Sequence, residues 1–165
     1  MVTKRTFLAS AVAAIGGLAF GGCSRQPATG SEETFEVVKT PEEWRAILTP
    51  AQFKVLREEG TERAGSSPLN AEKRTGAYVC AGCQLPVYAS ATKFESGTGW
   101  PSFTAPIDNA VRTRSDPGLL GTRTEVHCRR CGGHLGHVFK DGPPPTGQRW
   151  CMNGVAMTFL LDGEA

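Results

Sequence analysis

The sequence predicts a mainly β domain of antiparallel strands, fronted by two short helices. Three observations carry this reading. From residue 75 onward, short runs of β-prone residues alternate with Gly and Pro. Strands do not alternate with long helical stretches, so nothing indicates a parallel sheet. Ahead of residue 60, two Thr-Pro pairs each open a stretch of helical spacing.

The first helix begins at Thr40-Pro41-Glu42-Glu43. Thr40 suits an N-cap, Pro41 the first helical position, and Glu43 completes a capping box. Trp44, Ile47 and Leu48 then fall on one face. The second starts at Thr49-Pro50 and carries Phe53, Leu56 and Arg57 to a stop at Gly60. Trp44 and Phe53 are read as core. The expected strands are Ala77 to Cys80, Leu85 to Tyr88, Thr122 to Cys128, His134 to Phe139, and Val155 to Leu161. Thr124, Val126 and Cys128 alternate with Arg123, Glu125 and His127, which suits a half-buried strand. The apolar run from Val155 to Leu161 reads as a fully buried one.

The chain has 165 residues, 39% hydrophobic and 21% charged, a length that fits one domain. Twenty Gly and eleven Pro fit a turn-rich fold. Lys4 and Arg5 are the only charges in the first 22 positions, and the rest of the chain holds 16 basic and 16 acidic residues. A neutral body argues against nucleic acid as a partner, because phosphate-driven binding needs clustered positive charge. No apolar run reaches the roughly 18 residues that a spanning helix needs, which argues against a channel or transporter.

Residues 1–22 read as an export signal. Lys4-Arg5 forms a basic start, and the 14 residues from Phe7 to Phe20 form an apolar stretch too short to span stably. Thr3 to Leu8 also resembles a twin-arginine signal. Gly21-Gly22-Cys23 resembles a lipoprotein cleavage site, which makes Cys23 the candidate for lipidation and the membrane the anchoring partner. Residues 23–40 read as a polar tether, and residues 41–163 as the folded domain. The expected location is outside the cytoplasm, in the cell envelope.

Six cysteines point to sulfur chemistry. Cys80-x-x-Cys83 and Cys128-x-x-Cys131 are separated by 44 residues. A two-residue gap lets one tight turn present two thiolates to one ion, and four such ligands are what a structural Zn²⁺ takes. Gly82 and Gly132 offer the backbone freedom such turns use. Two disulfides, or a redox-active pair, are the competing readings. Cys151 then stands apart, in Arg149-Trp150-Cys151-Met152-Asn153. A thiol with an ordinary pKa near 8.5 needs help to ionise, and Arg149, His134 and His137 are candidate helpers. An inert buried thiol is the other reading. In a regular strand His134 and His137 would face opposite ways, so both reach Cys151 only if Gly136 marks a bulge or bend.

Further motifs follow in order: Gly97-Thr98-Gly99-Trp100-Pro101-Ser102-Phe103, Arg123-Thr124-Glu125-Val126, His134-Leu135-Gly136-His137-Val138-Phe139, Asp141-Gly142-Pro143 and Pro145-Thr146-Gly147. Together with the cysteine motifs, this pattern resembles the peptide-methionine (R)-S-oxide reductase family from about Pro41 to Leu161. The resemblance implies a fold of two antiparallel sheets with short N-terminal helices and a structural Zn²⁺ on Cys80, Cys83, Cys128 and Cys131. It implies Cys151 as the reactive cysteine, Trp100 as an apolar wall for the substrate methyl group, and His134, His137 and Asn153 as its companions. Oxidised proteins would be the substrates, and methionine sulfoxide the group restored. His137 is the expected proton donor, with His134 and Asn153 placing water or the sulfoxide oxygen. Many family members carry a second, resolving cysteine where this chain has Thr98. The expected reductant is therefore external, a thioredoxin-like protein or a small thiol, with Cys23 as the internal alternative. The enzyme is expected to act as a monomer.

Overall fold

The computed structural model describes residues 33–118 and 121–163. The segment expected to be an export signal, Cys23 and the first part of the expected tether lie outside the described residues. Helix α1 spans Pro41–Ile47 and α2 spans Pro50–Glu58. Each begins with a complete capping box. Thr40 Oγ1 accepts the Glu43 amide at 3.2 Å, and the Glu43 carboxylate accepts the Thr40 amide at 2.8 Å; Thr49 and Gln52 repeat the arrangement. Trp44, Leu48, Phe53 and Leu56 are buried, as an inward helix face predicts. Ile47 is 55% exposed. The helix has only seven residues, and Trp44 and Leu48, four apart, already occupy its inner face.

Among the described residues nine strands follow: β1 Gly76–Cys80, β2 Pro86–Ala89, β3 Lys93–Phe94, β4 Ser102–Phe103, β5 Val111–Gly118, β6 Gly121–Cys128, β7 His134–Phe139, β8 Arg149–Met152 and β9 Met157–Leu161. They form two antiparallel sheets, ordered β2-β1-β9 and β3-β4-β8-β7-β6-β5. One core joins both. Tyr88 of the smaller sheet stacks on Phe103 of the larger at 4.3 Å between ring centres, and Tyr78 meets Phe103 edge-on at 4.9 Å. All three rings are fully buried, each contributing roughly 1.5–3 kcal/mol by leaving water. The Tyr88 hydroxyl donates to Met152 Sδ at 3.1 Å. Burial, and secondarily the Cys151 charge, pushes that hydroxyl well above its ordinary pKa, so it stays a neutral donor.

Two strands differ from expectation. The last begins at Met157, because Gly154–Ala156 forms a 3-10 turn. The carboxylate of Glu62 opens that turn by accepting the amides of Gly154 at 2.6 Å and Val155 at 2.9 Å. β9 is also an edge strand with Thr158 exposed, so it is not buried on both faces. In β6 the expected alternation does not occur: residues 121 to 124 are all exposed and residues 125 to 128 are all buried. Glu125 is covered by Arg114 and His134, and His127 by Phe35 and Glu33.

The end of the segment read as tether lies against the domain. The Val37 amide donates to the Arg130 carbonyl at 3.0 Å, and Phe35 rests edge-on against His127. Gly132, at φ +68°, fits beneath Phe35: a Cβ there would meet the ring at 2.7 Å. Among the described residues no helix is long and apolar enough to cross a membrane.

Candidate active site and metal centre

Cys151 sits inside strand β8 and is partly exposed. Its neighbours across the sheet are Ser102 of β4 on one side and His137 of β7 on the other. Directly opposed residues share a face, with Cβ atoms roughly 4.5–5.5 Å apart. The β7 register slips by one residue at Leu135: Val126 faces Gly136, yet His127 faces His134. This is the bulge on which the histidine pair depends. It brings the rings of His134 and His137 to 5.3 Å. Gly136 also lets β8 come close, because a Cβ there would lie 2.2 Å from the Cys151 carbonyl oxygen.

Each imidazole is held by a carboxylate, and each carboxylate by an arginine. Glu125 Oε1 lies 2.8 Å from His134 Nδ1, and Arg114 grips the same carboxylate. Asp116 Oδ2 lies 2.8 Å from His137 Nε2, and Arg123 Nη2 donates to that oxygen at 2.6 Å. Burial pushes Glu125 up, but His134 and Arg114 outweigh it and hold the carboxyl below its ordinary value. Asp116 is held down first by His137 and then by Arg123. Burial lowers His137, while the Asp116 contact opposes that fall. His134 Nε2 is buried with no partner among the described residues. A buried orphan nitrogen is a ready site for a water or a substrate oxygen.

Thr98 Oγ1 approaches the Cys151 sulfur at 3.9 Å. Behind it, Ser96 Oγ lies 2.9 Å from Thr98 Oγ1 and 2.7 Å from Ser102 Oγ. The place where the resemblance expects a second thiol therefore holds a hydroxyl chain. Arg149 pairs with Asp141 through contacts of 3.0 and 2.9 Å and lies over Phe139. Asp141 first, and the Cys151 sulfur among the rest, hold its guanidinium firmly charged. Positive charge thus stands beside the Cys151 sulfur on its own strand.

Trp100 precedes Pro101, whose carbonyl accepts the Met152 amide at 2.9 Å, so its main chain runs beside the end of β8. The indole is partly exposed, and its Nε1 donates to the Glu62 carbonyl at 3.2 Å. Asn153 is 4% exposed. Its Oδ1 accepts the Glu62 amide at 3.0 Å and its Nδ2 donates to the Leu135 carbonyl at 3.1 Å. Both arms hold main chain, so Asn153 braces the bulge and the turn after Cys151. Glu62, which sequence reasoning missed, ties Trp100, Asn153 and that turn together. Its one sequence signal is an acidic residue just beyond a helix end, which is too common to single out. Trp150 packs at the core margin, with Nε1 donating to Gln148 at 3.2 Å.

The other four described cysteines form a separate cluster. Their sulfurs all lie within 4.8 Å of one another, with Cys80–Cys131 at 3.7 Å and Cys83–Cys128 at 3.5 Å. Four thiolates at 2.3 Å from a tetrahedral Zn²⁺ would be about 3.8 Å apart, so the set fits such an ion. Hydrogen bonds within the cluster push Cys83 and Cys128 down, towards the thiolates a metal takes, and push Cys80 and Cys131 up. Arg130 Nη1 joins the two knuckles by donating to the Cys83 carbonyl at 3.2 Å. The left-handed positions are Gly132 and, on the other knuckle, Gln84 at φ 60° rather than Gly82.

Comparison with known proteins agrees with this arrangement. Residues 48–161 match the SelR domain. A peptide methionine sulfoxide reductase MsrB of Methanosarcina barkeri is 51% identical over 129 residues, covering 78% of this chain and 91% of that protein. One from Pseudomonas putida is 53% identical over 127 residues, covering 75% and 94%. One from Leptospira interrogans is 48% identical over 126 residues, covering 76% and 96%.

Proposed function

The chain belongs to the peptide-methionine (R)-S-oxide reductase family, and we propose that it reduces methionine-(R)-sulfoxide in oxidised proteins through Cys151. The observation that carries this is the seat of Cys151, partly open to solvent and registered opposite His137 in the larger sheet. The Cys151 thiolate attacks the sulfoxide sulfur while an imidazolium protonates the oxygen. Without that proton the oxygen is a poor leaving group. The oxygen passes to the cysteine sulfur, so methionine is released two electrons richer and Cys151 becomes a sulfenic acid.

A thiol then condenses with the sulfenic acid, releasing water and leaving a mixed disulfide. A second thiol displaces Cys151 and regenerates it. Thr98 beside the sulfur, and four cysteines gathered elsewhere, favour an external thioredoxin-like protein or small thiol as donor. Cys80, Cys83, Cys128 and Cys131 would hold a Zn²⁺ that ties the two knuckles together and takes no part in the reaction. The indole of Trp100, anchored on Glu62, gives the substrate methyl group an apolar wall.

We read residues 1–22 as an export signal and Cys23 as lipidated, placing a monomeric enzyme on the membrane in the cell envelope. Its support is the basic start, the short apolar stretch and the Gly-Gly-Cys site. A diacylglycerol adduct on Cys23 in mass spectra of native protein is expected, and an unmodified Cys23 would overturn the anchor. The catalytic reading is tested by assaying purified Cys151→Ser on (R)-methionine sulfoxide with a dithiol. Loss of turnover is expected; turnover at the parent rate would end the assignment.

A further inference from the structure

One face of the larger sheet carries a row of charged side chains in register. Cross-strand pairing aligns Arg114 with Glu125, Glu125 with His137, and His137 with Cys151. Asp116 and Arg123 form the next rung beside them, as do Phe139 and Arg149. The outer strand β5, rich in charge, thus reaches Cys151 through two side chains. Asp116 stands at the far end of one line. Its side chain is 28% exposed, and it is fixed from one side by Arg123 and from the other by His137.

We propose that Asp116 is a positioning residue for the reaction: by holding His137 at Nε2, and being held itself by Arg123, it keeps on that imidazole the proton delivered to the sulfoxide oxygen. The proposal deepens the reductase reading and rests on it. The geometry is that of an acid–imidazole couple, in which a clamped carboxylate fixes ring orientation and favours the imidazolium. The titratable and charged groups facing His137 are Asp116 from β5, Arg123 and Glu125 from β6, His134 from β7, and Arg149 and Cys151 from β8. Burial, Arg123 and His134 push the imidazole towards neutrality, and Asp116 is what pulls it back. Glu125 is already engaged by His134 and Arg114, which leaves Asp116 as the acid within hydrogen-bond reach of His137.

The test is Asp116→Asn in the full chain, assayed on (R)-methionine sulfoxide with a dithiol from pH 5.5 to 9. The ring protons of His137 are followed by NMR over the same range. A carboxylate this close and partly exposed is worth about one pK unit, at the low end for neighbouring opposite charges. The His137 midpoint and the alkaline limb of kcat should both move down by about one unit. The loss should then be about tenfold on the alkaline side and smaller on the acidic side. KM should change less than kcat. Asp116→Glu, which keeps the carboxylate, should return much of the limb. An unmoved His137 midpoint with an unmoved limb overturns the proposal, as does an Asp116→Glu profile equal to that of Asp116→Asn. If the parent protein turns over no (R)-sulfoxide at any pH, it is the reductase reading that fails. Turnover with an unmoved limb removes only the role of Asp116.

Discussion

Gly136 lies against Cys151: a Cβ at Gly136 would stand 2.2 Å from the Cys151 carbonyl oxygen and 2.9 Å from Met152 Cα. The approach of β7 to β8 depends on that missing methyl group. Gly136→Ala must force the strands apart where the bulge sets the histidine pair. Overpacking of this kind costs roughly 1–3 kcal/mol. Denaturant unfolding should show that loss, and kcat should fall further than the folded fraction does, because the gap between His137 and the sulfur widens.

Glu62→Ala removes the acceptor of two main-chain amides in the turn after Cys151. Leaving partly buried donors unpaired costs about 1–3 kcal/mol. A lower unfolding midpoint is expected, with a raised KM as the turn and the Trp100 anchor loosen. An unchanged midpoint and KM would show the turn to be self-supporting.

Thr98→Cys puts a thiol where Oγ1 now stands 3.9 Å from Cys151 Sγ. The closure needed to reach a bond length near 2.05 Å is within the freedom of a loop. One turnover without reductant should then leave a disulfide between positions 98 and 151, seen by peptide mapping, whereas the parent chain should retain a sulfenic acid that a trapping reagent captures.

Removal of metal should unfold the knuckles, since a four-thiolate site contributes folding free energy outright. Exhaustive dialysis against a chelator should lower Tm, and Zn²⁺ added under reducing conditions should restore it. Loss of the metal with an unchanged Tm would overturn this folding role.

Acid should destabilise the protein in two stages. The folded state lowers the pKa of His137, so folding favours its neutral form. That contribution is full above the unfolded value of about 6.5 and is lost as pH falls towards the lowered folded value. Glu125 and Asp116 are also lowered by folding, so their contribution is present above about pH 4 and disappears below it. Urea midpoints should fall from pH 7 to 5.5 and again below pH 4, and Glu125→Gln should flatten the second fall.

Local signals in the chain carried the helices, the cysteine knuckles and the seat of Cys151. Capping boxes and C-x-x-C turns act over three or four residues, so spacing alone reports them. The bulge was legible as a condition, because two histidines three apart cannot otherwise share a face. Strand β5 was not legible. Arg112, Arg114, Asp116 and Pro117 look like surface, and their pairing with β6 shows only when the sheet is assembled. Glu62 was hidden for the same reason, since its partners lie about 38 to 93 residues away in sequence. Asn153 was placed in the right neighbourhood, but its hydrogen bonds make it a brace for main chain.

The contact of Phe35 and Val37 with the second knuckle has a mechanical meaning. A pull on the chain ahead of Glu33 is delivered first to the contacts of Glu33 with Arg112 and His127, and then to the loop around Arg130 and Gly132. It must break the grip there before tension passes along the chain to α1 and the domain that holds Cys151.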